Sequence, residues 1–211
     1  MPEKEIEYRV QIHPSGEMND SLTKQLSFIA KIVYGKETDK VVYRVLRVKQ
    51  HSNPRKLYVP GDGEVVEGEL LPHIGLGQKI VIEEKDEDKV IRRIEKVASD
   101  TKPFMLTSTK LGDYGEDFTI FVAYSQSDHI DELDLKIREK MKQFSPPGEK
   151  VFRDVFHFTL VYDDVSPENI NKAWKAIEED GLVNKELQVN SIWLWKNHNP
   201  YKEFIFGISQ G

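Results

Sequence analysis

The stretch Val155-Phe156-His157-Phe158-Thr159-Leu160 governs the reading of this chain, together with an earlier string of the same shape, Leu71-Pro72-His73-Ile74-Gly75-Leu76. Each opens an apolar run with a histidine, sets a small residue two positions later and then a leucine. In a β-strand, residues i and i+2 share a face, while i+1 and i+3 take the other. His157 and the Thr159 hydroxyl therefore project together, and Phe158 and Leu160 pack on the opposite side. A histidine with a hydroxyl beside it on a strand suits a phosphate ligand. Two such strands facing across a cleft would supply a general acid and a general base.

Composition sets the outer bounds. A chain of 211 residues suits one large domain or two closely joined lobes. With 38% hydrophobic and 31% charged residues it is globular, on the polar side. No apolar run approaches the length that spans a bilayer. Met1-Pro2-Glu3-Lys4-Glu5 lacks the basic-then-apolar order of a signal peptide, so a cytoplasmic protein with no membrane contact is expected. The absence of cysteine excludes disulfides, cysteine nucleophiles and cysteine zinc sites. A net charge of −6 argues against broad attachment to long nucleic acid. Yet the segment from Lys40 to Gly61 carries Lys40, Arg44, Arg47, Lys49, Arg55 and Lys56 and no acid. Such a segment on an acidic protein suits a small or terminal phosphate; the plainer reading is a solvated strand and loop.

The pattern along the chain alternates strands and helices. Glu7–His13 reads as a strand, Ser21–Val33 as a helix with Leu22, Leu26, Ile29, Ala30 and Val33 at helical spacing, and Val41–Val48 as a strand. Asn53-Pro54 and Pro60-Gly61-Asp62-Gly63 mark residues 50–64 as a loop. A first motif strand over about 71–82 precedes a helix over Asp86–Ala98. Met105–Thr109 and Phe118–Tyr124 read as strands around a turn at Leu111–Gly115, and Ile130–Phe144 as a helix. The second motif strand covers about 155–162. A helix follows, with Ser166 as N-cap, Pro167 in its first turn, and Ile170, Trp174 and Ile177 as its buried stripe; Gly181 closes it. Strands at Val189–Trp195 and Phe204–Ile208 end the chain.

The paired motifs and this order of elements resemble the 2H phosphoesterase superfamily, which includes 2′-5′ RNA ligase-like proteins and cyclic phosphodiesterases. The likeness covers roughly residues 70–208. It implies an α+β fold of two lobes, antiparallel sheets flanked by helices around a central cleft, with residues 1–211 forming a single bilobal domain that acts as a monomer. It also implies a metal-independent phosphodiesterase without cofactor, acting on 2′,3′-cyclic phosphate RNA ends or on small cyclic or 2′-5′-linked oligonucleotides. His73 and His157 would be the catalytic acid–base pair, and Thr159 would donate to the phosphate. Two alternatives stand beside this reading. One is a non-catalytic nucleotide or RNA-end binding protein on the same scaffold. The other is an RNA ligase running the reverse reaction with the same histidines.

Gly75 departs from the pattern, since the family carries Thr or Ser there. Glycine donates no side-chain hydrogen bond, but it lets a phosphate or base approach the strand closely, with its amide or a nearby cation substituting. Substrate-binding candidates are therefore Gly75, the cations Arg47 and Lys49 on one strand face, Arg55, Lys56 and Tyr58 in the loop between Pro54 and Pro60, and Arg153 before the second motif. That loop is expected to border the histidine cleft. Among aromatic residues, Tyr58, Tyr114, Phe158 and Trp195 could stack a base by location, although Phe158 reads as core, and Trp193 and Trp195 as packing residues. His13, His51, His129 and His198 read as surface residues. No His-x₃-His or acid-rich ligand spacing joins them, so no metal site is expected.

Overall fold

Ten strands and four helices form from the residues that the computed structural model describes: 5–35, 37–48, 63–113, 120–147, 155–161, 167–179, 181–197 and 199–208. In chain order they are β1 (Glu5–Ile12), α1 (Gly16–Tyr34), β2 (Val41–Val48), β3 (Gly63–Leu70), β4 (Ile74–Glu83), α2 (Glu87–Ser99), β5 (Phe104–Asp113), β6 (Ile120–Tyr124), α3 (Asp128–Met141), β7 (His157–Val161), α4 (Pro167–Glu179), β8 (Glu186–Val189), β9 (Ser191–Lys196) and β10 (Asn199–Ile205). Two four-stranded antiparallel sheets, ordered β10-β9-β1-β4 and β7-β6-β5-β8, make an α+β fold of two lobes, with β2 and β3 as a separate antiparallel pair. No helix among the described residues is long and apolar enough to cross a membrane.

Alternation decides which sheet face is core. On β1, Ile6, Tyr8 and Val10 are buried, whereas Glu5 and Arg9 are exposed and Glu7 half-buried. Helices cover the apolar faces, but not in chain order. α1 leaves the first sheet and packs against β7, β8 and α4; α3 leaves the second sheet and packs against β4 and α2. Each lobe is thus completed by a helix from the other half of the chain. One continuous apolar cluster joins Ile74 and Leu76 of β4 with Phe158 and Leu160 of β7.

The seam between lobes carries a specific bond. The register of β1 against β4 shifts between Tyr8 and Val10, and Gly77 bulges there with φ +61°. Its amide donates to Asp134 Oδ1 of α3 at 2.6 Å. Asp134 is buried and also pairs with Arg138 one helical turn on. A Cβ at position 77 would lie 2.5 Å from Ile137 Cγ2, so the site demands glycine both for its backbone and for its space.

Several elements depart from the sequence reading. β3 falls partly where a loop was expected and partly on residues given to no element; its Glu64, Glu67, Gly68 and Glu69 carry little strand preference, and it pairs with β2 outside both sheets. The first motif strand begins at Ile74 rather than near Leu71, and the second covers 157–161. Leu111-Gly112-Asp113 is strand, not turn; Gly112 is small because the Phe121 ring lies over it, 2.5 Å from where a Cβ would stand. The single strand expected over Val189–Trp195 is two strands in different sheets, β8 and β9, separated at Asn190. The final strand ends at Ile205 instead of beginning at Phe204. α1 begins at Gly16, five residues early, with Ser15 as N-cap; Ser15 spends its hydroxyl on the Gln188 carbonyl rather than on the helix. Ser166, Tyr114 and the loop from 50 to 62 lie outside the described residues.

Gly77→Ala is expected to destabilise the protein by about 1–3 kcal/mol through overpacking against Ile137 and a left-handed backbone. Asp134→Ala should cost about 1–3 kcal/mol by stranding a buried amide. Urea unfolding of both variants measures this; wild-type midpoints would show that the seam contributes nothing.

Candidate functional site

β4 and β7 are both edge strands of their sheets, and the two edges touch. Their motifs share one burial rhythm. Positions 71, 73 and 75 are half-buried while Pro72, Ile74 and Leu76 are buried; positions 155, 157 and 159 are half-buried while Phe156, Phe158 and Leu160 are buried. His73 with Gly75, and His157 with Thr159, therefore occupy the sheet faces turned away from the apolar cluster.

The two imidazoles are fixed in the same way. His73 Nδ1 lies 2.8 Å from the Leu71 carbonyl oxygen, and His157 Nδ1 lies 3.2 Å from the Val155 carbonyl oxygen. A carbonyl can only accept, so each Nδ1 carries a proton, and in its neutral form each ring presents the Nε2 lone pair at its other end. Their surroundings differ. His157 meets the Phe121 ring at 4.9 Å, whereas His73 lies 6.4 Å from the His13 ring and 6.2 Å from Trp195. Thr159 stands opposite Phe121 in the β6–β7 ladder, and Gly75 stands opposite Gln11 of β1, itself opposite Trp193 of β9.

His13 is not a free surface residue. Its Nε2 accepts from Trp195 Nε1 at 2.9 Å, the two ring planes lie within 8° of parallel, and a ring N–H donates to the Pro72 carbonyl. Burial, and the neighbouring His73 ring, push His13 down to a pKa of about 4. It is thus a neutral brace between β9 and the residue before His73. The signal in the sequence was strand alternation: Arg9, Gln11 and His13 share the face opposite Val10 and Ile12. A cavity of about 500 Å³ opens beside it, lined in part by Leu71, Pro72, Asn190, Trp193 and Glu203.

Other candidates separate. Phe158 is fully buried and meets Tyr124 edge-on, so it is core. Trp195 is buried against His13 and Trp193 is half-buried. His129 is exposed and packs on Phe104 at 5.8 Å. Of Arg47 only the backbone is described, on β2, a strand that touches β7. Lys49, His51, Arg55, Lys56, Tyr58, Arg153 and His198 lie outside the described residues. Among the described residues, no three His, Asp or Glu side chains converge as metal ligands.

A family model described as the 2′-5′ RNA ligase superfamily matches residues 61–200. Among solved structures, E. coli LigT complexed with 3′-AMP superposes at a TM-score of 0.57 with 11% identity, covering 96% of this chain and 99% of that one. LigT complexed with NADP+ gives 0.53 and 12%, covering 97% and 100%. A protein described as a phosphoesterase gives 0.51 and 12%, covering 97% and 99%. At these identities the likeness is one of fold. No curated protein sequence matches the chain.

His13 gives the site a pH signature. Its folded pKa lies near 4 against an ordinary 6.5, so the unfolded chain binds the extra proton first. Its contribution to stability is complete above pH 6.5 and is lost as pH falls through about 4. Urea midpoints measured across that window should fall for the wild type, and His13→Gln should start lower and fall less. Parallel profiles would remove the brace from this account.

Proposed function

The chain belongs to the 2′-5′ RNA ligase superfamily of 2H phosphoesterases, and on that premise we propose that it is a metal-independent phosphodiesterase using His73 and His157 as its acid–base pair. Its substrates are 2′,3′-cyclic phosphate RNA ends or small cyclic or 2′-5′-linked oligonucleotides. The observation that supports this most is the repeated restraint: two imidazoles, each holding its Nδ1 proton on the carbonyl two residues back, on edge strands that touch.

The chemistry follows from what each ring can do. One Nε2 takes a proton from water, whose oxygen bonds to phosphorus. The other ring, entering protonated, gives its Nε2 proton to the ribose oxygen as the P–O ester bond breaks. The charge that gathers on the non-bridging oxygens needs donors, and the Thr159 hydroxyl, on the face shared with His157, supplies one. In the reverse direction the same two groups would serve ligation. The cations Arg47, Lys49, Arg55, Lys56 and Arg153, with Tyr58, would hold phosphates and a base beyond the reacting one; that β2, which bears Arg47, touches β7 supports this reading.

Gly75 favours a second reading, a binding protein that holds an RNA end without cleaving it. One panel separates the two. With 2′,3′-cyclic nucleotides, cyclic-phosphate RNA ends and cyclic oligonucleotides in EDTA, the wild type should turn over at least one class with a bell-shaped pH profile. His73→Ala and His157→Ala should each lower turnover by about 10²–10⁴, and Thr159→Ala by less. Binding without turnover would favour the second reading, and activity recovered only with a divalent ion would contradict the mechanism. Neutralising Arg55 and Lys56 together should weaken oligonucleotide binding more than that of a mononucleotide cyclic phosphate, and the more so at low salt. Equal losses would leave the loop only a general electrostatic part.

A further inference from the structure

We propose that the Gln11 side-chain amide does at the first motif what the Thr159 hydroxyl does at the second: it donates a hydrogen bond to a phosphate oxygen held between the histidines. The inference rests on the His73–His157 reading and adds a residue to it.

The placement comes from the register. Gln11 is the direct antiparallel partner of Gly75, and directly opposed residues project to the same sheet face. His73 and Gly75 share that face by alternation, so Gln11 stands over the position where the first motif lacks its hydroxyl. Strands lie about 4.8 Å apart, a gap a glutamine side chain can bridge where the neighbour has no Cβ. The equivalent pair in the second lobe is Thr159 and Phe121. There the motif strand carries the polar group and its neighbour is apolar. In the first lobe the motif strand carries nothing and its neighbour is an amide. The donor has moved across one rung of the ladder.

The state of the side chain supports a ligand. Gln11 is only 7% exposed, and its Oε1 is buried with no hydrogen-bond partner among the described residues. An amide oxygen kept out of water and left without a donor costs stability, and such an atom in a folded protein calls for an explanation. Turning the amide by 180° exchanges its oxygen and nitrogen, so an N–H₂ can occupy the unpaired position and meet an anionic oxygen. On its other side Gln11 is paired with Trp193 of β9.

The test combines kinetics with a direct probe. Gln11→Ala should lower kcat on a 2′,3′-cyclic nucleotide by about 10²-fold, with KM little changed. Adding Gly75→Thr to Gln11→Ala restores a hydroxyl on the motif strand and should recover at least about tenfold of that loss. A folded Gln11→Ala protein with wild-type kcat, or a double variant no better than Gln11→Ala, overturns the proposal while leaving the histidine reading intact. A wild type no more active than His157→Ala would instead sink that reading. In that event the Gln11 side-chain NH₂ signal in a ¹⁵N-resolved NMR titration still decides. A shift on adding inorganic phosphate supports the contact, and an unmoved signal refutes it.

Discussion

A buried carboxylate holds this molecule in register. Asp134 reaches out of α3, a helix supplied by the second half of the chain, and takes the Gly77 amide of β4, the strand that follows His73. The bond sits at a bulge, where β4 breaks step with β1 and the backbone turns left-handed. Without it the Gly77 amide would lose its buried carboxylate partner at the point where β4 packs against α3. The interchange of α1 and α3 between lobes works with this bond. Each sheet is roofed by a helix that the other lobe must present, so neither motif strand can settle independently of the other.

On that frame the chain builds one chemical device twice. His157 opens its edge strand and His73 immediately precedes its own; both alternate with apolar residues that enter a common core, and both donate an Nδ1–H hydrogen bond to the carbonyl two positions back. The restraint is local and cheap, because it needs only a histidine two residues after a carbonyl turned toward it. What differs is the company. A phenyl ring lies against His157, while His73 has an imidazole and an indole nearby. Two rings with one geometry and unlike neighbours suit a reaction that needs one proton taken and another given.

Much of this could be read from the sequence because it is local. Period-two alternation set the faces of His157, Phe158, Thr159 and Leu160, and helical spacing found α2 and α3 within a few residues. What escaped depends on pairing between distant strands. His13 reads as a lone histidine before a proline until β9 brings Trp195 to it and the turn before β4 brings Pro72. Gln11 means little until the register places it against Gly75. Gly112 looks like a turn residue because the ring that excludes a side chain there belongs to another strand. The run from Val189 to Trp195 breaks phase at Asn190-Ser191, two polar residues in a row with Val189 and Ile192 buried on either side, and that slip was the mark of the change of sheet. Gly75 itself was visible as a departure from the family; its counterpart across the ladder was not.

The central claim is that His73 and His157 form one phosphate site through their Nε2 atoms. Imidazole ¹⁵N NMR of the wild type tests it most directly, with nucleoside 2′-monophosphate titrated into protein at a pH where both rings are neutral. The account predicts that both rings begin with the proton on Nδ1, and that both Nε2 signals move together on one binding curve with one equivalent of ligand. A ring that begins with its proton on Nε2, or Nε2 signals that respond singly or on two separate curves, would contradict it.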